Sequence, residues 1–354
     1  MKRISSFTFL LALLSTFVLT ACDADFQLPE QPDSSYSTAD GSGILEIHYI
    51  DVGQADAALV ICDGEAMLID GGNVDDSSLI YAYLQEHDIS SLKYIVGTHA
   101  HEDHMGGLSG ALHAAQAETA FCSVTENDAK FFQNFTSALA KQGKSITVPE
   151  TGSRYTLGSA EFQFIGPIQE TNDANNMSLV LRLVYGSTSF LFTGDAERSE
   201  ESDILDAGYD LSATVLKVGH HGSEGSTSYP FLRAAAPQYA VISCGTGNSY
   251  GHPHEEALSR LRDADVTLYR TDLQGTIICT SDGKTVTFTT EKNSTAQTNP
   301  TEEESAGSYI GNVNSHVFHR PDCANLPLEK NRILFESRSD AVEAGYTPCG
   351  GCKP

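Results

Sequence analysis

The chain has 354 residues, and its 21 Lys and Arg stand against 47 Asp and Glu, which gives a net charge of −26. Such an acidic protein does not attract nucleic acid through its bulk charge, so a polyanionic substrate would need metal ions or a local basic patch. An apolar content of 40% suffices for a hydrophobic core, and the length allows more than one domain.

Residues 1–21 have the pattern of a bacterial lipoprotein signal peptide. Lys2 and Arg3 precede an uncharged, mostly apolar stretch at 7–19, which is too short for a comfortable membrane span. The stretch ends in Leu-Thr-Ala-Cys, which matches the lipobox and predicts lipidation of Cys22. The protein is therefore expected to be lipid-anchored on the extracytoplasmic face of the cell membrane. An ordinary cleaved signal peptide is the alternative.

Composition divides the rest of the chain. Residues 22–43 are rich in Ser, Asp, Pro and Gly and are expected to form a flexible tether. Residues 44–290 are predicted to form one domain, residues 291–307 a linker and residues 308–354 a small C-terminal module.

Strands and helices alternate through residues 44–290. The predicted strands are 45–52, 57–62, 66–69, 94–98, 161–165, 179–184, 189–192, 214–218, 239–243, 266–269, 276–280 and 285–289. The predicted helices are 77–86, 105–117, 127–141, 197–207, 229–236 and 254–263. This order predicts an α/β (α+β) fold in which sheets pack together with helices outside them.

The segment His99-Ala-His-Glu-Asp-His104 is dense in metal-binding side chains. Neutral imidazole and carboxylate are the usual ligands of zinc and related divalent ions. His99 and His101 are two apart on an extended segment and can point to the same side. Asp103 and His104 follow where a helix should start and can turn towards a second point. One loop can thus supply two adjacent metals, as two-metal hydrolases require.

Polar groups beside glycine also end four other predicted strands. These are Asp70 before Gly-Gly, Asp195 in Thr-Gly-Asp, the run from Lys217 through His220 and His221 to Ser223, and His252 in Gly-His-Pro. A site at one edge of a sheet would need such groups at successive strand ends.

In this order the motifs resemble the metallo-β-lactamase superfamily over about residues 44–290, and more narrowly the hydrolase domain of ComEC-type competence proteins. Further segments that carry the resemblance are Tyr49 to Asp56 and Asn175 to Val180. The resemblance implies an αββα sandwich with two divalent metal ions, Zn²⁺ or Mn²⁺, at one edge between the sheets.

The resemblance also implies roles for individual residues. His99 and His101 would bind the first metal, Asp103 and His104 the second, and Asp195 would bridge them. Asp70 would orient the loop by hydrogen bonds. The remaining ligand of the second metal is left open between His220 and His252; we expect His252 as ligand or near-ligand, and His220 or His221 as general acid or phosphate contact. Lys217, His221 and Ser223 are predicted substrate contacts.

One departure from the wider superfamily concerns the first metal. The wider superfamily has a third histidine ligand between the loop and Asp195. Here the only histidine in that interval is His113, which lies on the helix directly after the loop and is not expected to be that ligand. The segment around Asn176 stands where that ligand is expected, a feature that the ComEC-type domain shares. Asn176, like Asp70, is expected to support the ligands by hydrogen bonds. The first site is otherwise expected to be weak, to use Asn176 or water, or to prefer a harder ion such as Mn²⁺.

The C-terminal module carries its own metal pattern. His319 and Cys323 are followed by Cys349 and Cys352 in a Cys-x2-Cys knuckle, which predicts one structural zinc that stabilises so small a core. Its segments resemble the metal-binding domain of Ada-type DNA-repair proteins, with His319 in the position of the methyl-accepting cysteine. His316 is an alternative fourth ligand, and a disulfide or redox-active Cys pair is the alternative to zinc.

These features predict a membrane-anchored, extracytoplasmic, metal-dependent phosphodiesterase or nuclease acting on DNA. A metallo-hydrolase of a lactam, thioester or other small ester is the first alternative. The second is a non-catalytic lipoprotein that binds DNA or cell-wall polymer.

Overall fold

The computed structural model describes residues 43–299, 309–321, 323–335 and 338–352, and the predicted lipidation site Cys22 lies outside them. The first sheet has eight strands in the spatial order β15-β14-β1-β2-β3-β4-β5-β6. In chain order they are β1 (Leu45–Tyr49), β2 (Ala58–Cys62), β3 (Glu65–Ile69), β4 (Ser91–Gly97), β5 (Gln116–Cys122), β6 (Ile146–Thr147), β14 (Ile277–Ser281) and β15 (Val286–Thr290).

The second sheet has seven strands in the order β13-β12-β11-β10-β9-β8-β7. They are β7 (Arg154–Leu157), β8 (Ala160–Gly166), β9 (Val180–Tyr185), β10 (Thr188–Phe192), β11 (Val215–Lys217), β12 (Tyr239–Ile242) and β13 (Thr267–Arg270). The helices of this domain are α1 (Ser77–Glu86), α2 (Glu102–Met105), α3 (Leu108–Ala114), α4 (Lys130–Lys141), α5 (Arg198–Ala207), α6 (Tyr229–Ala235), α7 (Glu255–Asp263) and α8 (Thr271–Gln274).

Three apolar clusters hold these elements in four layers. The central cluster joins the facing sides of the two sheets and includes Ile47, Met67, Phe162 and Phe190. A second cluster packs α1, α3 and α4 on the outer side of the first sheet, and a third packs α5, α6 and α7 on the outer side of the second. The predicted αββα sandwich is therefore confirmed.

The parallel strands of both sheets place their carboxyl ends at one edge. β3 and β4 are parallel neighbours in the first sheet, and β10, β11 and β12 are parallel neighbours in the second. Asp70, His99, Asp195, His221 and the segment after β12 all follow directly from these ends. Loops from two facing sheets thus meet at one place, which is the geometry that a site between sheets requires.

The largest difference from the predicted elements lies at residues 105–122, and the short elements β6, β7 and α8 were also not predicted. The predicted helix 105–117 is two short helices, α2 and α3, and β5 was missed. β5 begins Gln-Ala-Glu, whose residues favour helices or are depleted in strands. Its parallel pairing with β4, which runs from Ser91–Gln116 to Gly97–Cys122, overrides that local preference.

The C-terminal module is a small sheet in the order β18-β16-β17-β19, with one helix. Its elements are β16 (Tyr309–Asn312), β17 (Val317–His319), β18 (Arg332–Phe335), α9 (Arg338–Glu343) and β19 (Thr347–Pro348). Its core of Phe318, Phe335 and Tyr346 also includes Tyr229 at the start of α6. Arg338 forms an ion pair with Asp263 of α7, so the module packs against helices of the larger domain.

Within the described residues, no helix combines the length and the apolar character that a membrane crossing needs.

Glu200 on α5 makes the stability of this region depend on pH. Its side chain is buried, accepts a hydrogen bond from the amide of Ile168 at 2.8 Å, and burial raises its pKa from about 4.5 to about 7. Because the raised pKa favours the protonated carboxyl in the folded state, stability is lost as the pH rises from about 4.5 to about 7. Across this window we expect the free energy of unfolding of the wild type to fall by up to about 3 kcal/mol relative to Glu200→Gln. Urea unfolding of both proteins from pH 4.5 to 8 tests this, and parallel curves would contradict it.

Candidate metal centre

The loop after β4 supplies four side chains to the site. His99 and His104 are fully buried, Asp103 is partly buried and His101 is exposed. His99 Nε2 lies 3.0 Å from His101 Nδ1, so these two imidazoles share one side of the loop, as the sequence predicts. α2 begins immediately after His101, and this turn directs Asp103 and His104 towards the facing sheet.

The glycine pair after the loop allows a close contact with β3. A Cβ atom at Gly107 would lie 2.0 Å from the carbonyl oxygen of Gly71, and one at Gly106 would lie 2.3 Å from the amide nitrogen of Val74. The amide of Gly71 also donates to the carbonyl oxygen of His104 at 2.7 Å. Both positions therefore require glycine, and the contact holds the loop beside the residue that ends β3.

Metal-binding side chains form two groups that share Asp195. One group contains His99, His101 and Asp195, and the other contains Asp103, His104, Asp195 and His221. The Asp195 carboxylate lies 3.9 Å from His99 Nε2 and 3.2 Å from His104 Nε2. This is a His and Asp cluster of the kind that holds two divalent ions.

Unsatisfied buried atoms show that the cluster fits a cation. His104 Nε2 and Asp195 Oδ1 are buried and face each other at 3.2 Å, yet neither makes a hydrogen bond. Leaving such atoms unpaired would cost about 1–3 kcal/mol each. Imidazole nitrogen and carboxylate oxygen are ligands of Zn²⁺ and Mn²⁺, so a cation bound by both atoms would remove the cost of leaving them unpaired.

Asp70 orients His104. Its Oδ2 accepts hydrogen bonds from His104 Nδ1 at 2.8 Å and from the Thr98 hydroxyl at 2.9 Å, and its Oδ1 accepts one from the Thr98 amide at 2.8 Å. With Nδ1 occupied as a donor, the lone pair of His104 Nε2 is directed into the cluster. Asp70 itself has a φ of 58°, a left-handed conformation that costs energy for a residue other than glycine.

Asp56 supports His221 in a similar way and was not among the residues selected from the sequence. Its carboxylate lies 3.1 Å from His221 Nδ1 and 2.7 Å from Lys217 Nζ. The carbonyl oxygen of Ser243 is also 3.1 Å from His221 Nδ1. Asp56 and Lys217 are both buried, so the pair forms a charged support beneath the imidazole. The sequence carries no local signal for Asp56, because it does not show that Lys217 is buried and therefore needs an acidic partner.

The carboxylates control the charge of the buried imidazoles. Burial alone would lower the pKa of His104, but Asp195 and Asp70 outweigh burial and raise it well above its ordinary value. Burial likewise opposes protonation of His221, whose pKa is nevertheless raised to about 10 by Asp195 and Asp56. The pKa of His99 is instead lowered well below its usual range by burial and by nearby His104. The carboxylates around Asp195 therefore favour positive charge on His104 and His221. A divalent cation would supply that charge and displace the protons from these imidazoles.

The structure changes which histidine joins the second group. His221 Nε2 lies 3.2 Å from Asp103 Oδ2 and 3.7 Å from Asp195 Oδ2, whereas His252 is outside both groups. His252 Nδ1 instead lies 3.2 Å from the side-chain nitrogen of Gln54. Of the two roles expected for His252, ligand or near-ligand, the geometry favours the second, since its ring lies beside that of His221 and outside both groups. His220 and His221 have φ values of 49° and 53°, and this backbone turn directs the two rings differently.

His220 lies at the rim of the site. Its Nε2 is 3.6 Å from Asp195 and its Nδ1 is 3.3 Å from Glu197, and the side chain is 23% exposed. Ser223, also expected to contact substrate, accepts a hydrogen bond from the amide of Gly225 at 3.2 Å. Lys217 does not reach the open site, because its ammonium group is buried against Asp56; its expected role as a phosphate contact is therefore corrected.

Ser178, rather than Asn176, contacts the first group. The side-chain oxygen of Asn176 accepts from the amide of Glu197, and its nitrogen donates to Asp173. Ser178 Oγ lies 3.3 Å from His99 Nδ1 and accepts from the amide of Asp195 at 3.0 Å. Asn176 thus positions the backbone after Asp195, which fits the expected supporting role and not the alternative of a direct ligand.

The C-terminal module forms a third cluster. His319, Cys323, Cys349 and Cys352 converge, and His316, the alternative ligand, packs instead against the ring of Tyr346. Backbone amides of Asn325, Arg320 and Gly351 point at the sulfur atoms of Cys323, Cys352 and Cys349, each at 3.4 Å. Burial opposes ionisation of Cys349, but amides of Cys352 and Gly351 outweigh it and lower its pKa. The donor set fits one tetrahedral structural zinc.

Replacing Cys349 with serine is expected to remove this zinc and to unfold the module locally, because metal binding supplies much of the stability of so small a core. Zinc content should fall by about one ion per chain, and hydrogen exchange of amides in residues 309–352 should accelerate. Cys279→Ala, which removes a buried thiol of the central core, is the matched control and should keep the zinc. Unchanged zinc content in Cys349→Ser would contradict the assignment.

Fold and site together define a metal-dependent hydrolase scaffold with a separate zinc module. The chain belongs to the metallo-beta-lactamase superfamily, whose model matches residues 50–246. A second match, to the metal binding domain of Ada, covers residues 298–354. Both family resemblances seen in the sequence are thereby confirmed.

Curated relatives include competence proteins. ComE operon protein 3 of Bacillus subtilis (strain 168) is 31% identical over 255 residues, covering 66% of this chain and 32% of that protein. Competence protein ComA of Neisseria gonorrhoeae is 33% identical over 237 residues, covering 64% of this chain and 31% of that protein. The chain thus spans about a third of the length of these relatives.

Among solved structures, the metallo-beta-lactamase fold protein YhfI from Bacillus subtilis aligns with 68% of this chain and 100% of its own chain. The sequence identity is 13% and the TM-score is 0.47.

Proposed function

We propose that this protein is a two-metal phosphodiesterase that hydrolyses DNA. The observation that carries the proposal is the sharing of Asp195 between two groups of metal-binding side chains. When bound, two divalent ions would lower the pKa of a water molecule and neutralise the charge of a phosphodiester. The names of the competence-protein relatives support nucleic acid as the substrate.

Each metal ion would have its own set of ligands, with Asp195 common to both. His99 and His101 with Asp195 would hold one ion, and Asp103, His104 and His221 with Asp195 would hold the other. Asp70 and Asp56 keep the imidazoles of His104 and His221 oriented by hydrogen bonds or charge contacts to Nδ1.

His220 is the proposed proton donor. It lies at the partly exposed rim, with its Nδ1 3.3 Å from the Glu197 carboxylate. Its Nε2 can donate a proton to the leaving oxygen of the substrate while Glu197 holds the ring. The hydroxyl of Ser223, which lies on the same loop, is the proposed phosphate contact.

An assay of the purified protein tests the activity. With Mn²⁺ or Zn²⁺ the protein should cleave single- or double-stranded DNA, and Asp195→Ala should abolish cleavage. Glu118→Ala, which removes an exposed carboxylate of β5, is the matched control and should remain active. Failure to cleave DNA, RNA and bis-aryl phosphates with either metal would contradict the proposal. Turnover of nitrocefin that exceeds phosphodiester turnover would indicate a lactam hydrolase instead.

We further propose that a lipid on Cys22 anchors the protein to the extracytoplasmic face of the membrane. One acyl chain gives only marginal anchoring, so a stable attachment needs the several chains of a bacterial lipoprotein. Labelling of cells with a radioactive fatty acid should therefore mark the wild type and leave Cys22→Ala unlabelled. A wild type without label, or equal label in the variant, would contradict lipidation of Cys22.

A further inference from the structure

The segment that follows β12 forms a wall beside the metal centre. It runs through residues 245–254, and its tip carries Tyr250, whose side chain is 67% exposed. Within this segment His252 and His254 pack edge to face, with ring centroids 4.8 Å apart. A tyrosine ring this exposed contributes little to the core and is open to contact with a ligand.

The exposure of Tyr250 comes from an ordered segment. Asn248 donates to the carbonyl oxygens of Gly245 and His252 at 2.9 Å and 2.5 Å, and it accepts from the amides of Tyr250 and His252 at 3.1 Å and 3.0 Å. Gln54 accepts from the amide of Gly245 at 3.1 Å, and its side-chain nitrogen lies 3.2 Å from His252 Nδ1. These contacts hold the segment at both ends and keep the tyrosine ring away from the core.

Near-parallel rings lead from the metal centre to Tyr250. The rings of His221 and His252 have centroids 6.1 Å apart and planes inclined by 29°. The rings of His252 and Tyr250 have centroids 5.7 Å apart and planes inclined by 22°. One face of the Tyr250 ring is thus turned to His252, and the ring extends the series outwards into solvent.

We propose that Tyr250 binds the substrate by stacking on an unpaired nucleobase next to the scissile phosphodiester. The inference rests on the proposed function and names the form of substrate that the site accepts. A base can stack on this ring only when it has left its own helix, so the substrate would be single-stranded DNA or a frayed end. Aromatic rings beside a backbone-binding groove are the usual means of binding single strands without sequence preference.

The charge of the chain supports this mode of binding. With a net charge of −26, the protein gains no bulk electrostatic attraction for a polyanion. Lys217, the cationic side chain expected at the site, is buried against Asp56. Stacking needs no charge, so it is a source of affinity that remains available to this acidic protein.

The test uses the protein of residues 1–354, two variants and two substrates. Tyr250→Ala removes the ring, and Tyr250→Phe keeps it as the matched control. The substrates are a single-stranded thymidine 12-mer and the same 12-mer with stable abasic residues in place of the nucleosides. Cleavage gives kcat and KM, fluorescence anisotropy of labelled 12-mers gives binding, and elemental analysis gives metal content.

Tyr250→Ala should raise KM for the thymidine 12-mer about 5- to 100-fold with a much smaller change in kcat and full metal content, while Tyr250→Phe should match the wild type. Removing the bases should raise the wild-type KM by a similar factor, and both changes together should cost no more than either alone. Equal KM for wild type and Tyr250→Ala on the thymidine 12-mer would overturn the inference, as would additive losses.

Direct binding separates this inference from the proposed function. If the wild type cleaves no oligonucleotide but binds the thymidine 12-mer more tightly than Tyr250→Ala does, the phosphodiesterase proposal fails and the stacking role stands. If the wild type cleaves DNA and the Tyr250 variants behave alike in cleavage and binding, the phosphodiesterase proposal stands and the stacking role fails.

Discussion

Replacing His221 with alanine is expected to remove one metal ion per chain and at least about 10³-fold of the hydrolase activity. The imidazole lies 3.2 Å from Asp103 and 3.7 Å from Asp195. Without it, the second group would keep only Asp103, His104 and Asp195 as ligands. The expected loss follows from the several kcal/mol of transition-state charge stabilisation that a metal ion supplies. Elemental analysis and DNA cleavage at saturating substrate measure the two effects.

Two other histidines serve as controls for this result. His252→Ala should keep the full metal content, because its ring is outside both groups and contacts Gln54. His113→Ala removes an exposed imidazole of α3 and should keep both metal content and activity. Loss of metal from His252→Ala together with its retention in His221→Ala would show that the second group is assigned to the wrong histidine.

The layered fold could be predicted because its signals are local. Alternating apolar residues mark strands such as β1 and β8, and each strand that leads to the site ends beside glycine. β5 was missed because its identity depends on a partner strand rather than on its own residues. Its first residues favour a helix, and only pairing with β4 makes the segment extended.

The choice between His221 and His252 could not be made from the sequence. Chain order places both after strands that end at the same edge, and a motif does not tell which way a ring points. That direction comes from left-handed backbone at His220 and His221, with φ values of 49° and 53°. Nothing in a His-His pair indicates two consecutive conformations that are rare for residues other than glycine.

The position of Lys217 was equally hidden, for a different reason. Its neighbours Leu216 and Val218 pack in the outer cluster of the second sheet, so Lys217 points into the space between the sheets. Its partner Asp56 is 161 residues away in the chain, and this long separation makes the pair invisible to local patterns. A lysine beside two histidines was therefore interpreted as a substrate contact.

Replacing Lys217 with methionine is expected to lower the free energy of unfolding by about 3–5 kcal/mol, because it removes the ammonium group paired with the buried carboxylate of Asp56 and leaves only His221 beside it. Lys217 Nζ donates to Asp56 Oδ2 at 2.7 Å, and both side chains are less than a tenth exposed. Urea unfolding at a fixed metal concentration measures the change. A phosphate-binding lysine would behave differently: its loss would raise KM for DNA and leave the unfolding curve unchanged.

The double variant Asp56→Asn with Lys217→Met separates an uncompensated charge from lost packing. If Lys217→Met destabilises the fold because the Asp56 carboxylate loses its ammonium partner, removing that carboxylate should restore a large part of the stability. The double variant should nevertheless bind metal and cleave DNA about 10- to 100-fold less well, because His221 then loses the carboxylate beside its Nδ1. Stability and activity would thus respond in opposite directions to the second substitution. Equal stability in the single and double variants would show that Lys217 contributes through packing alone.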